Sequence, residues 1–250
     1  MPRPDPPAHP STLVRVLDDD PGLADALDPA RLVRARRSAV APLVEAPRGA
    51  WQPPTTEHSA RRDLGLLVLS GLLARHQRVA GRTFTELRGA EDLLRPWDDA
   101  AEATSLAGHV SWTALRPTRL AWLDGEFASA IAQWPEITSA LLGRAIRRAR
   151  LLSFRTALVE LKHVDLRVLL LLWHLADRWG HVRADGILVD LPLTHELIAR
   201  MIGAHRTTVT VAVRRLKDEG RLGHTDRQGW ILLGSAPNEL NDFTASARSR

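Results

Sequence analysis

Between Leu193 and Leu233 two short amphipathic stretches meet at a single glycine, and few folds accommodate that arrangement. The segment reads LTHELIARMIGAHRTTVTVAVRRLKDEGRLGHTDRQGWILL. Thr194 has the side chain of a helix N-cap, and Glu196 follows in the first turn, where the helix dipole favours a negative charge. Leu197, Ile198, Met201 and Ile202 share one apolar face. Gly203 closes this helix, because the tight turn after it needs a positive φ that glycine adopts without steric cost. A second helix is expected from His205 or Arg206 to Gly220, with Val209, Ala212, Val213 and Leu216 on its buried side. Two short helices joined by a glycine turn of about three or four residues are a helix-turn-helix.

The opposite side of the second helix carries Arg206, Thr207, Thr210, Val211, Arg214 and Arg215. That mixture suits the DNA major groove: arginine can fork onto guanine O6 and N7, threonine bonds either way, and a methyl-bearing side chain can touch thymine. After Gly220, the stretch Arg221–Gly223, a polar turn at 224–229 and Trp230–Leu233 read as a two-stranded wing. His224 and Arg227 at its tip are candidate phosphate contacts. Thr194 and His205, at the two helix starts, complete the candidate DNA-contact set.

Charge is distributed to match. Residues 1–143 hold 16 Lys and Arg against 18 Asp and Glu, whereas residues 144–250 hold 18 against 11. A basic end on a near-neutral beginning points to a polyanion partner for the second half. The absence of cysteine excludes disulfides, thiolate zinc sites and iron–sulfur clusters. The longest apolar run, Leu64 to Ala74, is too short to span a bilayer, and the proline-rich start has no apolar signal region. No membrane partner and a cytoplasmic location are therefore expected.

The organisation read upstream is a disordered tail over 1–12, a β-roll with flanking helices over 13–134, a long dimerisation helix over 135–163, the winged helix-turn-helix over 164–236 and a tail over 237–250. Residues 21–44 read as two short helical pieces, opened by Pro21 and Pro29. From Ala46 to Asp124, short apolar runs such as Leu66–Leu69, Gly71–Leu73, Trp112–Leu115 and Leu120–Leu123 are broken by glycine and proline, the pattern of a compact antiparallel roll. The fold class is α+β. Pro135 opens a long helix in which Leu142, Ala145, Ala149, Leu152, Thr156 and Val159 recur at spacings of three and four, as in a coiled-coil seam between subunits. A further helix over Asp165–Trp179 ends between His174 and His181, to which no metal is assigned because no third ligand lies at metal spacing.

The segment Gly203, Arg206, Thr208 and Val209, followed by Leu216 and Lys217-Asp-Glu-Gly220, resembles the Crp/Fnr family of bacterial transcription regulators. The order of roll, long helix and winged helix extends that resemblance over most of the chain. It implies a homodimer whose long helices pair and whose second helices enter successive major grooves. It further implies double-stranded DNA as partner and allows RNA polymerase as another. By the same resemblance Arg206 reads a base and Thr208 contacts the backbone. Thr207 and Val211 stand where the family often has an acidic residue and an arginine, so the operator is expected to differ. The family's cyclic-nucleotide members carry an arginine followed by Ser/Thr and Ala; here Glu91 and Arg95 are present as effector candidates, but that cassette does not follow. No cofactor is therefore assigned, cAMP and cGMP are disfavoured, and the effector is another small molecule or absent.

An enzyme is not expected. Glu91, Asp92, Asp98, Asp99 and Glu102 form an acidic cluster beside Trp97, read as a solvated loop, and no phosphate-binding or nucleophile-elbow motif occurs. Two other readings are a winged-helix protein-interaction module and a true cyclic-nucleotide-dependent regulator.

Overall fold

The structure, a computed structural model, describes residues 12–54, 62–98, 109–224 and 229–237. Residues 1–11 of the tail expected over 1–12, Asp99, Glu102, Arg227 and the end beyond 237 lie outside these residues. The chain forms two compact units, 1–150 and 151–250.

The first unit begins with β1 (Leu13–Arg15), α1 (Val16–Asp19) and a 3-10 turn at Pro21–Ala24, then α2 (Pro29–Ser38). Asp28 caps α2, its Oδ1 accepting from the Arg31 N–H at 2.9 Å, with Pro29 at the first helical position. The strands are β2 (Val40–Ala46), β3 (Gly49–Trp51), β4 (Gly65–Val79), β5 (Arg82–Gly89), β6 (Leu93–Leu94) and β7 (His109–Leu123). They form an antiparallel sheet in the order β1-β2-β7-β4-β5, with β3 on β7 and β6 on β4. A short helix, α3 (Gly125–Ile131), capped by Asp124, leads to α4 (Pro135–Glu160), whose last ten residues belong to the second unit.

Two sequence expectations are corrected here. Residues 40–44 are strand rather than helix, because Ala41 and Val44 are buried on the sheet. The short runs on either side of Gly71 and Pro117 are continuous in β4 and β7, each of 15 residues. The punctuation marks a bulge instead of a turn: the β4–β7 register shifts between Val68 and Leu73. Gly71 has φ +98°, and a Cβ there would lie 2.4 Å from the Pro117 carbonyl oxygen. The shift changes which residues face which core. Leu66 and Val68 before it and Leu73 after it, of opposite parity, join Trp51, Trp97, Trp112 and Trp122 in one cluster. The second cluster packs Leu17, Leu23, Phe127, Ile131, Trp134 and Ile137 against Leu67 and Leu123.

In the second unit, α5 (Val164–Trp179) is followed by β8 (Gly180–Arg183) and β9 (Gly186–Val189), then α6 (His195–Ile202), α7 (Arg206–Asp218), β10 (Leu222–His224) and β11 (Trp230–Leu232). The wing strands β10 and β11 pair as expected, and the sheet continues through β9 to β8.

Candidate nucleic-acid interface

Thr194 Oγ1 accepts the Leu197 N–H at 3.1 Å, so α6 starts where its sequence says it should. Leu197, Ile198, Met201 and Ile202 are buried. Gly203 then takes φ +67°, and the Ala204 N–H reaches back to the Ala199 carbonyl at 2.9 Å. Val159, offered as the last residue of the dimer seam, is instead half-buried and lies 3.6 Å from the Cβ position of Gly203. It supports the turn.

The second helix of the pair is held to the unit by Val209, Ala212, Val213 and Leu216, all buried. His205, Arg206, Thr207, Thr208, Thr210, Val211, Arg214 and Arg215 are all exposed, and Val211 keeps 61% of its surface in water. Arg215 reaches Asp165 at 3.3 Å. Among the described residues Arg206 and Arg214 have no carboxylate partner. His205 makes no side-chain cap bond, so the first N–H groups of α7 face outward with the positive end of the helix dipole.

One contact was not anticipated from sequence. The Thr210 hydroxyl donates to the Arg206 carbonyl at 3.0 Å, and His195 Nδ1 lies 2.9 Å from the Thr210 Oγ1. With its hydrogen directed to Arg206, Thr210 Oγ1 can accept from the Nδ1–H tautomer of His195. The His195 ring is 5.9 Å from that of Trp230, which donates to the Leu193 carbonyl at 3.2 Å. His195 thus ties the start of α6 to the exposed face of α7 and to β11. The usable signal was its position directly after the N-cap, which alone does not name a partner fifteen residues away.

The other sequence candidates are more dispersed. Leu142, Ala145, Ala149, Leu152 and Thr156 lie exposed along α4, joined by Ile146. Glu91 and Arg95 are not brought together. Arg95 bonds Asp98 at 2.7 Å and the Asp63 carbonyl at 2.7 Å, while Glu91, in a left-handed conformation, lines a 710 Å³ cleft with Arg144 and Arg147. Asp92 of the acidic cluster is buried and accepts the Gly89 N–H at 2.8 Å, so it is not part of a solvated loop. His174 stacks on Phe154 at 4.5 Å. Among the described residues no three His, Asp or Glu side chains gather at metal-binding distance, and no helix is long and apolar enough to cross a membrane.

Residues 166–235 match the model of the Crp-like helix-turn-helix domain. Over 139 residues the chain is 32% identical to the CRP-like cAMP-activated global transcriptional regulator of Mycobacterium tuberculosis, a stretch covering 55% of this chain and 58% of that protein. The global nitrogen regulator of Synechococcus elongatus is 28% identical over 56% of this chain and 72% of its own. Residues 166–235 are those of a Crp-like helix-turn-helix domain, and the chain is similar to regulators of the Crp/Fnr type beyond it. The fold extends that likeness: a CooA mutant from Carboxydothermus hydrogenoformans superposes with a TM-score of 0.63 at 21% identity, over 92% of this chain and 96% of that one. The curated mycobacterial relative is matched over less than two thirds of its length.

Proposed function

We propose that the chain is a sequence-specific DNA-binding transcription regulator, acting as a homodimer on a two-fold symmetric operator, with α7 as recognition helix and the first unit as sensor of a small effector or of none. The outward face of α7 carries this reading: Arg206 and Arg214 without a carboxylate partner among the described residues, hydroxyls and one apolar side chain, mounted on a buried opposite face. Arg206 and Arg214 supply forks for guanine or phosphate, Thr207 and Thr208 supply hydroxyls, and Val211 suits a thymine methyl. Thr210, held by His195, positions the helix as much as it reads DNA. Thr194 and Arg215 are further phosphate-backbone contacts, and Arg227, which the sequence puts between β10 and β11, is another.

The exposed stripe of Leu142, Ala145, Ile146, Ala149, Leu152 and Thr156 supports pairing of two copies along α4. Leu142 keeps 61% of its surface in water and Ile146 48%. Covering such surface contributes about 25 cal/mol per Å². Such a regulator works on the chromosome in the cytoplasm, with RNA polymerase as the machine whose access it sets.

Selection of bound duplexes from a random pool tests the reading. The expected product is a palindrome with half-site centres about 34–36 Å apart, bound with an affinity that falls steeply with salt at a slope of about −0.9 per neutralised phosphate. An unenriched pool and a flat salt response would instead assign the winged helix to protein contacts.

A further inference from the structure

A helix ends in carbonyl groups that no N–H of the same helix can reach, and they carry the negative end of its dipole. At the end of α6 two of these carbonyls are met by arginines from other helices. Arg155 of α4 donates from Nη2 to the Met201 carbonyl at 3.3 Å, and Arg167 of α5 donates from Nη1 to the Ile202 carbonyl at 3.4 Å. Arg167 also donates from Nε to the Leu161 carbonyl at 2.5 Å, just past the end of α4. One guanidinium therefore lies between the C-terminal ends of α4 and α6, whose like dipole ends would otherwise repel. Both arginines are half-buried, and Val159, one turn after Arg155, lies against the Gly203 turn.

These contacts reach α7 at both ends. Gly203 and Ala204 lead from the held end of α6 into His205 and Arg206, where α7 begins. Asp165, in the same first turn of α5 as Arg167, takes Arg215 in the last turn of α7 at 3.3 Å. A planar guanidinium serving carbonyls on two helices fixes direction as well as distance, which the freely turning donors of an ammonium would not. Within the second unit the last ten residues of α4 are thus fastened to the helix-turn-helix. The same ten residues leave Leu152 and Thr156 exposed on a neighbouring side, as part of the stripe along which two copies pair in the function proposed above.

We propose that Arg155 and Arg167 are positioning residues that lock the helix-turn-helix onto the end of α4 and thereby determine which half-site spacing the protein accepts. This rests on the homodimer and two-fold operator of the preceding reading. When α4 pairs two copies, the separation of their two α7 helices is only as definite as the joint between α4 and α6. With the joint intact one spacing is bound well, and a shift of one base pair, about 3.4 Å along the duplex, is penalised. With the joint loosened each α7 follows its own groove and the penalty shrinks.

The test has two arms, both on the full chain. The first needs no DNA. Because the chain has no cysteine, Ser153→Cys and Lys217→Cys place one spin label on α4 and one near the end of α7, and dilution into unlabelled chain isolates the distance within one copy. A single narrow distance is expected, which Arg167→Met, keeping the stem but no donor, should broaden. The second arm compares affinity for a single half-site, for the selected palindrome, and for that palindrome with one base pair inserted. Arg167→Met should reduce the preference for the selected spacing by about tenfold, the worth of a hydrogen bond to a charged group, and leave the single half-site unchanged. Arg155→Met should act in the same direction by less, and it decides the matter where Arg167→Met does not fold. Arg167→Lys should restore only part of the preference. An unchanged distance distribution, an unchanged spacing preference, or an equal loss on the single half-site would each overturn the proposal. A parent chain that binds no duplex would sink the reading of α7 and the spacing claim with it, while the label distances still report whether the joint itself exists.

Discussion

Arg144 in the first unit lies against Asp20 with 7% and 6% of the two side chains exposed, whereas Arg206 in the second is exposed, with no carboxylate partner among the described residues. The contrast extends beyond one pair. In the first unit Arg31 binds Glu136, Arg119 binds Asp19 and Arg148 binds Glu86. On α7, Arg206 and Arg214 have no such partner among the described residues. An arginine that already faces a carboxylate is neutralised and fixes two chain segments together. An arginine left unpaired on a rigid helix keeps its charge and its five donors for a partner outside the chain. The same residue type is structural in these pairs of the first unit and available for recognition at Arg206 and Arg214 of α7.

That comparison can be broken at several places. The largest effect is expected from Arg144→Ala, which leaves Asp20 buried without its counter-charge and should destabilise the first unit by about 3–5 kcal/mol in urea unfolding. A change of only a few tenths would mean the pair is not a fastening. Next is Leu152→Asp, in the exposed stripe of α4. Burying an unpaired carboxylate costs several kcal/mol, so sedimentation should show monomer at concentrations where the parent is dimeric. A fully dimeric variant would move the interface elsewhere. Arg206→Ala should leave the melting curve of the chain unchanged and cost about 1–3 kcal/mol on the selected site, relaxing one base position. Equal losses on selected and random duplexes would reduce Arg206 to a phosphate contact. The smallest effect belongs to His195→Ala, which removes one side-chain bond to Thr210 and should weaken specific binding by about 0.5–1.5 kcal/mol. An unchanged affinity would make that bond incidental to the placement of α7.

The second unit was the more legible in sequence because its determinants are local. A cap, a glycine with φ +67° and a buried face at helical spacing all lie within thirty residues, and each has a physical reason to appear there. The hairpin of β8 and β9 has Asp185-Gly186 as its turn signal, but its four-residue strands are too short to carry a pattern of their own. In the first unit the decisive contacts are remote: Asp20 meets Arg144 across 124 positions, and no spacing rule reports that. Gly71 was legible as punctuation but not as a bulge, because the choice depends on how closely Pro117 of another strand approaches it.

The central claim, that the open face of α7 reads base edges in the major groove, is tested most directly by methylation interference on the selected duplex. Methylating guanine N7 blocks the atom an arginine fork would bind, while leaving the phosphates intact. The account predicts that methylation of one guanine in each half-site abolishes binding of the parent chain and has little effect on the residual binding of Arg206→Ala. Binding indifferent to N7 methylation in the parent chain would contradict it.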